Sequence, residues 1–432
     1  MLAACEVDRY RVLALGILFL AGAEFLIRGP VRGLNPESGW NDFAGPYVAA
    51  RAWVQGSPPY QAANLVRIWT SLGGEPIDIS PSSHDPVGVR PIYAPSALAL
   101  VAPSALLPWR VALTAWMLAE IGSVALLAIM LASVLALPST NWKLLFVAAV
   151  LALAPFHTGI GRANPGVFSV TLAGLAVWAS LRQRPRLAGL LLAISVCLKP
   201  PLGCALLLYY LLVRRDKRLG AYCLGATAFV SLVAVGWLGV HGNHWWTDLS
   251  ANLRWLDVSG TSGDFTSANP IRFTMINLQV LLFAIFPSAR AANVTAYALS
   301  GVLAAAFLFL TRNRYATREL LEASTVAVLS LLPIYHRSYE AAVLVLPLAW
   351  AIAQLHSEFA PSARISLALM AVFLVPGGAL LQRLSSEGII PLAISSKFWW
   401  DPVVMAHETW ALLGLLLALL YARARAPRGS AA

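Results

Sequence analysis

Residues 111–137 read VALTAWMLAEIGSVALLAIMLASVLAL, an apolar run with a single charged side chain. At about 1.5 Å per helical residue, a run of that length crosses a ~30 Å hydrocarbon core. Comparable runs, about 16–27 residues long, recur along the 432-residue chain with polar segments between them. The composition is 59% apolar and 12% charged, against roughly 45–50% and about 25% in soluble domains. Mean hydropathy is +0.70. A soluble globular protein is excluded. Backbone polar groups in lipid must pair within the chain, as they do in helices, so the expected fold class is an all-α polytopic membrane protein forming a single integral membrane domain over 1–432.

Ten spans are expected, at about 11–27, 111–137, 143–160, 164–181, 219–240, 291–311, 319–335, 339–355, 364–382 and 408–422. Short cationic segments follow or join them: Arg182/Arg184/Arg186, Arg214/Arg215/Lys217/Arg218, Arg312/Arg314/Arg318 and the tail Arg423/Arg425/Arg428. The positive-inside rule sets all four in the cytoplasm. Both termini are then cytoplasmic, with a basic tail over 423–432. The net charge of +11 reflects these span ends and no basic patch, so nucleic acid is not an expected partner. Cys5, Cys197, Cys204 and Cys223 contain no CxxC pair, which implies neither a disulfide framework nor a zinc site. No internal repeat of the kind many carriers show is visible.

The segment 187–212 has cations at both ends and Lys199-Pro200-Pro201 at its centre. Each half is about 12 residues, roughly 18 Å of helix, and Pro-Pro breaks a helix. Two short helices that enter and return fit this better than a straight span. In the first span Ala21-Gly22-Ala23 is placed like a signal-peptide cleavage site; an uncleaved anchor is the preferred reading.

Two segments on the opposite side, about 28–110 and 241–290, are long enough to carry function. The first holds Trp40, Tyr47, Trp53, Tyr60 and Trp69 among polar residues, the pattern of surface helices with aromatic anchors at headgroup level. It also holds Asp42, in Gly39-Trp40-Asn41-Asp42-Phe43. Desolvation at an apolar interface makes a carboxylate a better proton acceptor, the property of a general base. The plainer reading is a helix N-cap, since an Ala-rich helical stretch follows.

Lys199 is the one lysine deep in an apolar segment, where an ionisable group needs a partner or a water-filled cavity; the alternative is snorkelling to an interface. Beside a helix break it could hold a phosphate. His336-Arg337, between two spans, suits an anionic headgroup or phosphate, although a short turn between spans is often polar anyway. Gly161-Arg162-Ala163-Asn164 closes a turn on the same side. Convergence of these features on one outward pocket is expected, with Lys199 reaching it from below. There is no Asp-x-Asp, no nucleotide-binding glycine loop and no H-E-x-x-H, so neither cofactor nor metal is expected.

The co-linear set resembles glycosyltransferase family 87, membrane enzymes of the GT-C fold that include the mycobacterial polyprenol-phosphate-mannose-dependent phosphatidylinositol mannoside mannosyltransferases. The matching stretches are Asp42-Phe43 through Tyr47 to Ala49-Ala50-Arg51, then Gly56 and Pro59-Tyr60, Tyr93-Ala94-Pro95, Gly161-Arg162-Ala163-Asn164 and Lys199-Pro200. Arg162 stands where that family carries Gln, Asn277-Leu278-Gln279 matches an N-Q-S element loosely, and His336-Arg337 replaces a more His-rich pattern. The resemblance implies a GT-C-like bundle of about 10–12 transmembrane helices with interfacial helices on the outer face. It also implies a polyprenyl-phosphate sugar donor and a lipid or glycan acceptor. The catalytic aspartate it implies carries over to Asp42, and a contributing late-loop histidine carries over to His336. Arg51, Tyr60, Tyr93, Arg162, Asn164, Lys199 and Arg337 are the expected substrate-binding and phosphate-binding residues.

The expected activity is inverting transfer of a sugar, mannose above others, at the outer face of the bacterial inner membrane. A carrier or flippase for an anionic lipid or sugar is the rival, using Lys199 and His336 without bond chemistry. A non-catalytic scaffold is a second rival.

Overall fold

The computed structural model describes residues 2–35, 40–75, 77, 79, 89–256, 258–312 and 318–426, with side chains from residue 9 onward. Gly39, Arg314 and Arg428 lie outside the described residues, as does the side chain of Cys5. The chain is 76% helical, with no strand among the described residues. It is an all-α polytopic membrane protein.

In chain order the helices are α1 (Leu2–Leu26), α2 (Ala44–Val54), α3 (Ala62–Ser71), α4 (Pro95–Ala105), α5 (Trp109–Val134), α6 (Thr140–Ala152) and α7 (Ala154–Gly161). Then come α8 (Gly166–Leu181), α9 (Pro185–Leu198), α10 (Pro200–Leu208), α11 (Lys217–Val240), α12 (Trp245–Trp255), α13 (Leu278–Ile285) and α14 (Ala289–Thr311). The last six are α15 (Glu319–Ser330), α16 (Val345–Ala353), α17 (Ala360–Met370), α18 (Gly377–Ser386), α19 (Leu392–Ser395) and α20 (His407–Arg425).

Among the described residues four helices are long and apolar enough to cross a membrane, or up to six if each of two bent pairs is one span, where ten spans were expected. The difference has a physical cause. The 143–160 run is split into α6 and α7, bent by 49°, where Pro155 opens the second helix. The 364–382 run bends by 40° ahead of Gly377, at Pro376. The other runs fall mostly on shorter helices such as α8, whose 16 residues are largely buried against neighbours instead of facing lipid.

The 187–212 segment folds as two short helices. Lys199 is the shared junction, with φ −149° and ψ 85°, and α9 and α10 pack on each other so closely that a Cβ on Gly203 would stand 2.7 Å from the Val196 nitrogen. Arg184, Arg186 and Arg218, from the two flanking basic segments, line one cleft. A straight span would carry those segments to opposite ends, so the hairpin reading holds.

Three of the five aromatics expected as surface anchors in the 28–110 segment pack inward, and Trp40 and Trp53 are half-buried. Tyr47, Tyr60 and Trp69 are buried, and Trp40 meets Trp69 edge-on at 5.0 Å. Phe43 stacks on Trp116 at 4.4 Å and on Trp109 at 5.9 Å. Trp53 donates to the Ala234 carbonyl at 3.2 Å. Each buried ring contributes about 1.5–3 kcal/mol, and together they hold the start of α2 against α5.

A second buried cluster fastens the end of the bundle that carries the basic segments. Glu319 accepts from Tyr210 and from Arg214, each at 3.0 Å. Glu322 accepts from Tyr209 at 3.1 Å and from Arg423 at 3.0 Å. These contacts tie the end of the α9–α10 hairpin to α15 and α20. Arg214, half-buried, and Arg423, buried, are topological signals by sequence and here also ion-pair partners.

Candidate functional site

The site begins with a close approach of glycines. A Cβ on Gly33, just past α1, would stand 2.9 Å from the Gly161 carbonyl oxygen, and one on Gly161 would stand 3.0 Å from the Arg28 carbonyl. The end of α1 and the end of α7 therefore lie backbone to backbone. After Gly161 the chain turns through Ala163, whose φ of +51° is the left-handed conformation that helix ends favour. The Asn164 N–H donates to Gly159 O at 2.9 Å and closes the turn.

This turn meets Asp42. The Asp42 N–H donates to the Arg162 carbonyl at 3.0 Å, and the Asn164 side-chain amide donates to the Asp42 carboxylate at 2.8 Å. Asn164 Oδ1 accepts from the Gly166 N–H at 2.8 Å, which fixes which end of the amide faces Asp42. The N-cap reading of Asp42 is corrected: Asn41 Oδ1 accepts from the Phe43 and Ala44 N–H groups, both at 3.1 Å. Asn41 holds the start of α2 and the Asp42 carboxylate is left to the cleft.

Lys199 enters from the junction of α9 and α10. A Cβ on Gly166 would stand 3.4 Å from Lys199 Nζ, so the ammonium lies beside the Asn164 turn. It pairs with Glu340 and sits 5.7 Å from the centre of the Tyr339 ring. The other Glu340 oxygen contacts His336 Nδ1, and both acid and imidazole are buried. Among the described residues the buried His336 Nε2 has no hydrogen-bond partner. Backbone pairing sets this loop: the Ile276 N–H donates to His336 O at 3.0 Å and the Leu278 N–H to Leu332 O at 2.9 Å. Gln279 adds a 2.6 Å bond to Pro333 O, so the Asn277-Leu278-Gln279 element buttresses the histidine.

Asp42, Asn164, Lys199, Tyr93, Tyr335 and Tyr339 line one cleft, with Arg90, Trp255 and Ser262 among its other walls. Its volume is about 70 Å³, below the ~300–1,000 Å³ of typical small-molecule sites, so a sugar requires the walls to part. Burial pushes the Tyr93 phenol well above its ordinary value, which keeps it a neutral hydroxyl. Tyr60 supports it by donating to the Tyr93 carbonyl at 2.9 Å.

Arg51 and Arg162 lie outside the cleft lining, and Arg337 stands behind it, bonded to the lining residues Tyr335 and Ser262. Arg51 donates to Ala105 O at 3.0 Å and to the Tyr47 hydroxyl at 3.3 Å, because α2 packs on α4 and the carbonyl end of a helix attracts a cation. Arg162 is exposed; its carbonyl faces Asp42 while its side chain faces away. Arg337 is buried with its guanidinium committed to Tyr335 at 2.7 Å, Thr274 at 3.2 Å and the Ser262 carbonyl at 3.4 Å. Glu340 was not singled out from sequence, nor was Glu120 of α5, which is buried, accepts from Trp116 at 2.9 Å and, among the described residues, leaves its other oxygen unpaired. A charge inside an apolar run is the signal that marks Glu120.

No curated protein and no solved structure matches this chain. The model of glycosyltransferase family 87 matches residues 92–333, more than half of the chain. That match takes in Tyr93, Arg162, Asn164 and Lys199, and begins after Asp42 and ends before His336. The chain belongs to glycosyltransferase family 87, and it is a membrane glycosyltransferase with a sugar donor and an acceptor.

Proposed function

We propose that the protein transfers a sugar with inversion from a polyprenyl-phosphate donor to a hydroxyl of a lipid or glycan acceptor, with Asp42 as general base. The observation that carries this reading is the Asp42 carboxylate oriented by Asn164 in a cleft that also receives Lys199. Asp42 takes the proton of the acceptor hydroxyl, and that oxygen forms the new bond to the anomeric carbon. The bond between that carbon and the donor phosphate oxygen breaks, and its electron pair leaves with the phosphate.

Negative charge develops on the departing phosphate, and Lys199 is the cation proposed to meet it. An ammonium carries three donors, so Lys199 can hold Glu340 and a phosphate oxygen together. Glu340 positions both Lys199 and His336. Arg51 and Arg337, committed to protein groups, play no part in this step. Mannose is the sugar the family resemblance favours. The active site is proposed to face the periplasm from the inner membrane, with both termini cytoplasmic.

The test is reconstitution of purified protein with labelled polyprenyl-phosphate mannose and an acceptor phospholipid. A glycosylated lipid that forms with wild type and not with Asp42→Asn supports the reading. Movement of donor across the vesicle without product overturns it in favour of a carrier.

A further inference from the structure

About 21 Å from Lys199, the length of the 14-residue α9, the opposite end of the same helix borders a second cleft. Its volume is about 590 Å³ and it is lined by Gln183, Arg184, Pro185, Arg186, Leu187, Arg218 and Tyr222. Among the described residues three arginines line it and no carboxylate does. Among the described residues none of the three makes an ion pair; Arg184 lies 6.0 Å from the centre of the Trp178 ring and Arg186 5.8 Å from that of Tyr222. Like charges gathered in one concavity repel, and an anion between them relieves that repulsion.

The cleft opens onto an apolar face. Leu187, which lines it, continues along α9 to Leu190 and Ile194, all exposed, and the i, i+3, i+7 spacing keeps them on one face. Tyr222, also lining it, continues along α11 to Phe229 and Val233, exposed on one face as well. The two helices are in close contact between these faces: a Cβ on Gly189 would stand 2.6 Å from the Leu219 carbonyl and 2.7 Å from the Tyr222 Cβ. A cationic cleft at the end of an exposed apolar strip has the shape of a lipid, headgroup and chains together.

We propose that this cleft binds the phosphate of an anionic phospholipid, with its acyl chains along the exposed faces of α9 and α11. The guanidinium fork suits phosphate oxygens, and basic pockets between helices at a membrane surface take such headgroups. The site is separate from the Asp42 cleft and does not depend on the catalytic reading.

Delipidated full-length protein in neutral detergent, titrated with phosphatidylglycerol or phosphatidylcholine and read by native mass spectrometry, tests this. Wild type is expected to retain phosphatidylglycerol over phosphatidylcholine by at least ~10-fold, and R184A/R186A/R218A to lose that preference. The control R312A/R425A removes two cations elsewhere and is expected to keep it. Equal loss in the control overturns the site in favour of diffuse charge attraction. Displacement of the lipid by millimolar inorganic phosphate, with equal binding of glycerophosphate lacking chains, overturns the lipid assignment in favour of a free anion. If the triple variant does not melt as a folded protein, R218Q alone supplies the reading, with an expected loss of about 3-fold or more; an unchanged preference in R218Q overturns the proposal.

Discussion

The Asn164 side-chain amide reaches across 122 positions of sequence to donate a 2.8 Å hydrogen bond to the Asp42 carboxylate. Its own oxygen is held by the Gly166 N–H, so the amide cannot turn over without losing both contacts. A bond to a charged group contributes about 1.5–3 kcal/mol. Asn164→Ala should therefore slow transfer by roughly 10-fold to 10²-fold. Steady-state rates with and without the substitution check this; an unchanged rate would remove the amide from the orientation of Asp42.

Asp42→Asn should insert and melt like wild type and lose at least ~10² in transfer, the lower range for a general base. Asn41 caps α2, so the fold does not need the carboxylate at residue 42. Asn41→Ala should do the opposite, lowering thermal stability by about 1 kcal/mol and leaving most of the transfer rate.

Glu340 pairs with Lys199 and contacts His336. Glu340→Gln leaves the partly exposed Lys199 ammonium unpaired, a loss smaller than the ~3–5 kcal/mol of a fully buried pair. Thermal melting should show that loss. Lys199→Met with Glu340→Gln should recover much of the stability, since no buried charge is then unpaired, but not the transfer rate. Recovery of both would show that Lys199 serves only the fold.

The Gly161 contact can be read separately from the chemistry. A Cβ there would stand 3.0 Å from Arg28 O, and the α1 end must shift by a few tenths of an ångström to admit it. Gly161→Val, bulkier still, should reduce transfer more than it reduces stability, because the Asn164 turn moves relative to Asp42. Comparing melting temperature with rate checks the ratio.

At the other end of the bundle, Arg423→Met leaves Glu322 without its cation and should destabilise the protein by about 3–5 kcal/mol. Donor affinity should be unaffected in the fraction that remains folded. A change in donor affinity at constant stability would link the two ends.

Apolar runs and their flanking cations determined, by sequence alone, that this is a helical membrane protein. The Lys199-Pro200-Pro201 break was legible for the same reason, since proline's missing N–H acts locally. Asp42 and Lys199 stood out because charge next to apolar surface is costly wherever it falls. Tertiary structure alone decided which neighbours those charges met. That Asn41 and not Asp42 caps α2, that Glu340 joins Lys199 to His336, and that Arg51 and Arg337 turn to protein groups all depend on contacts between distant segments.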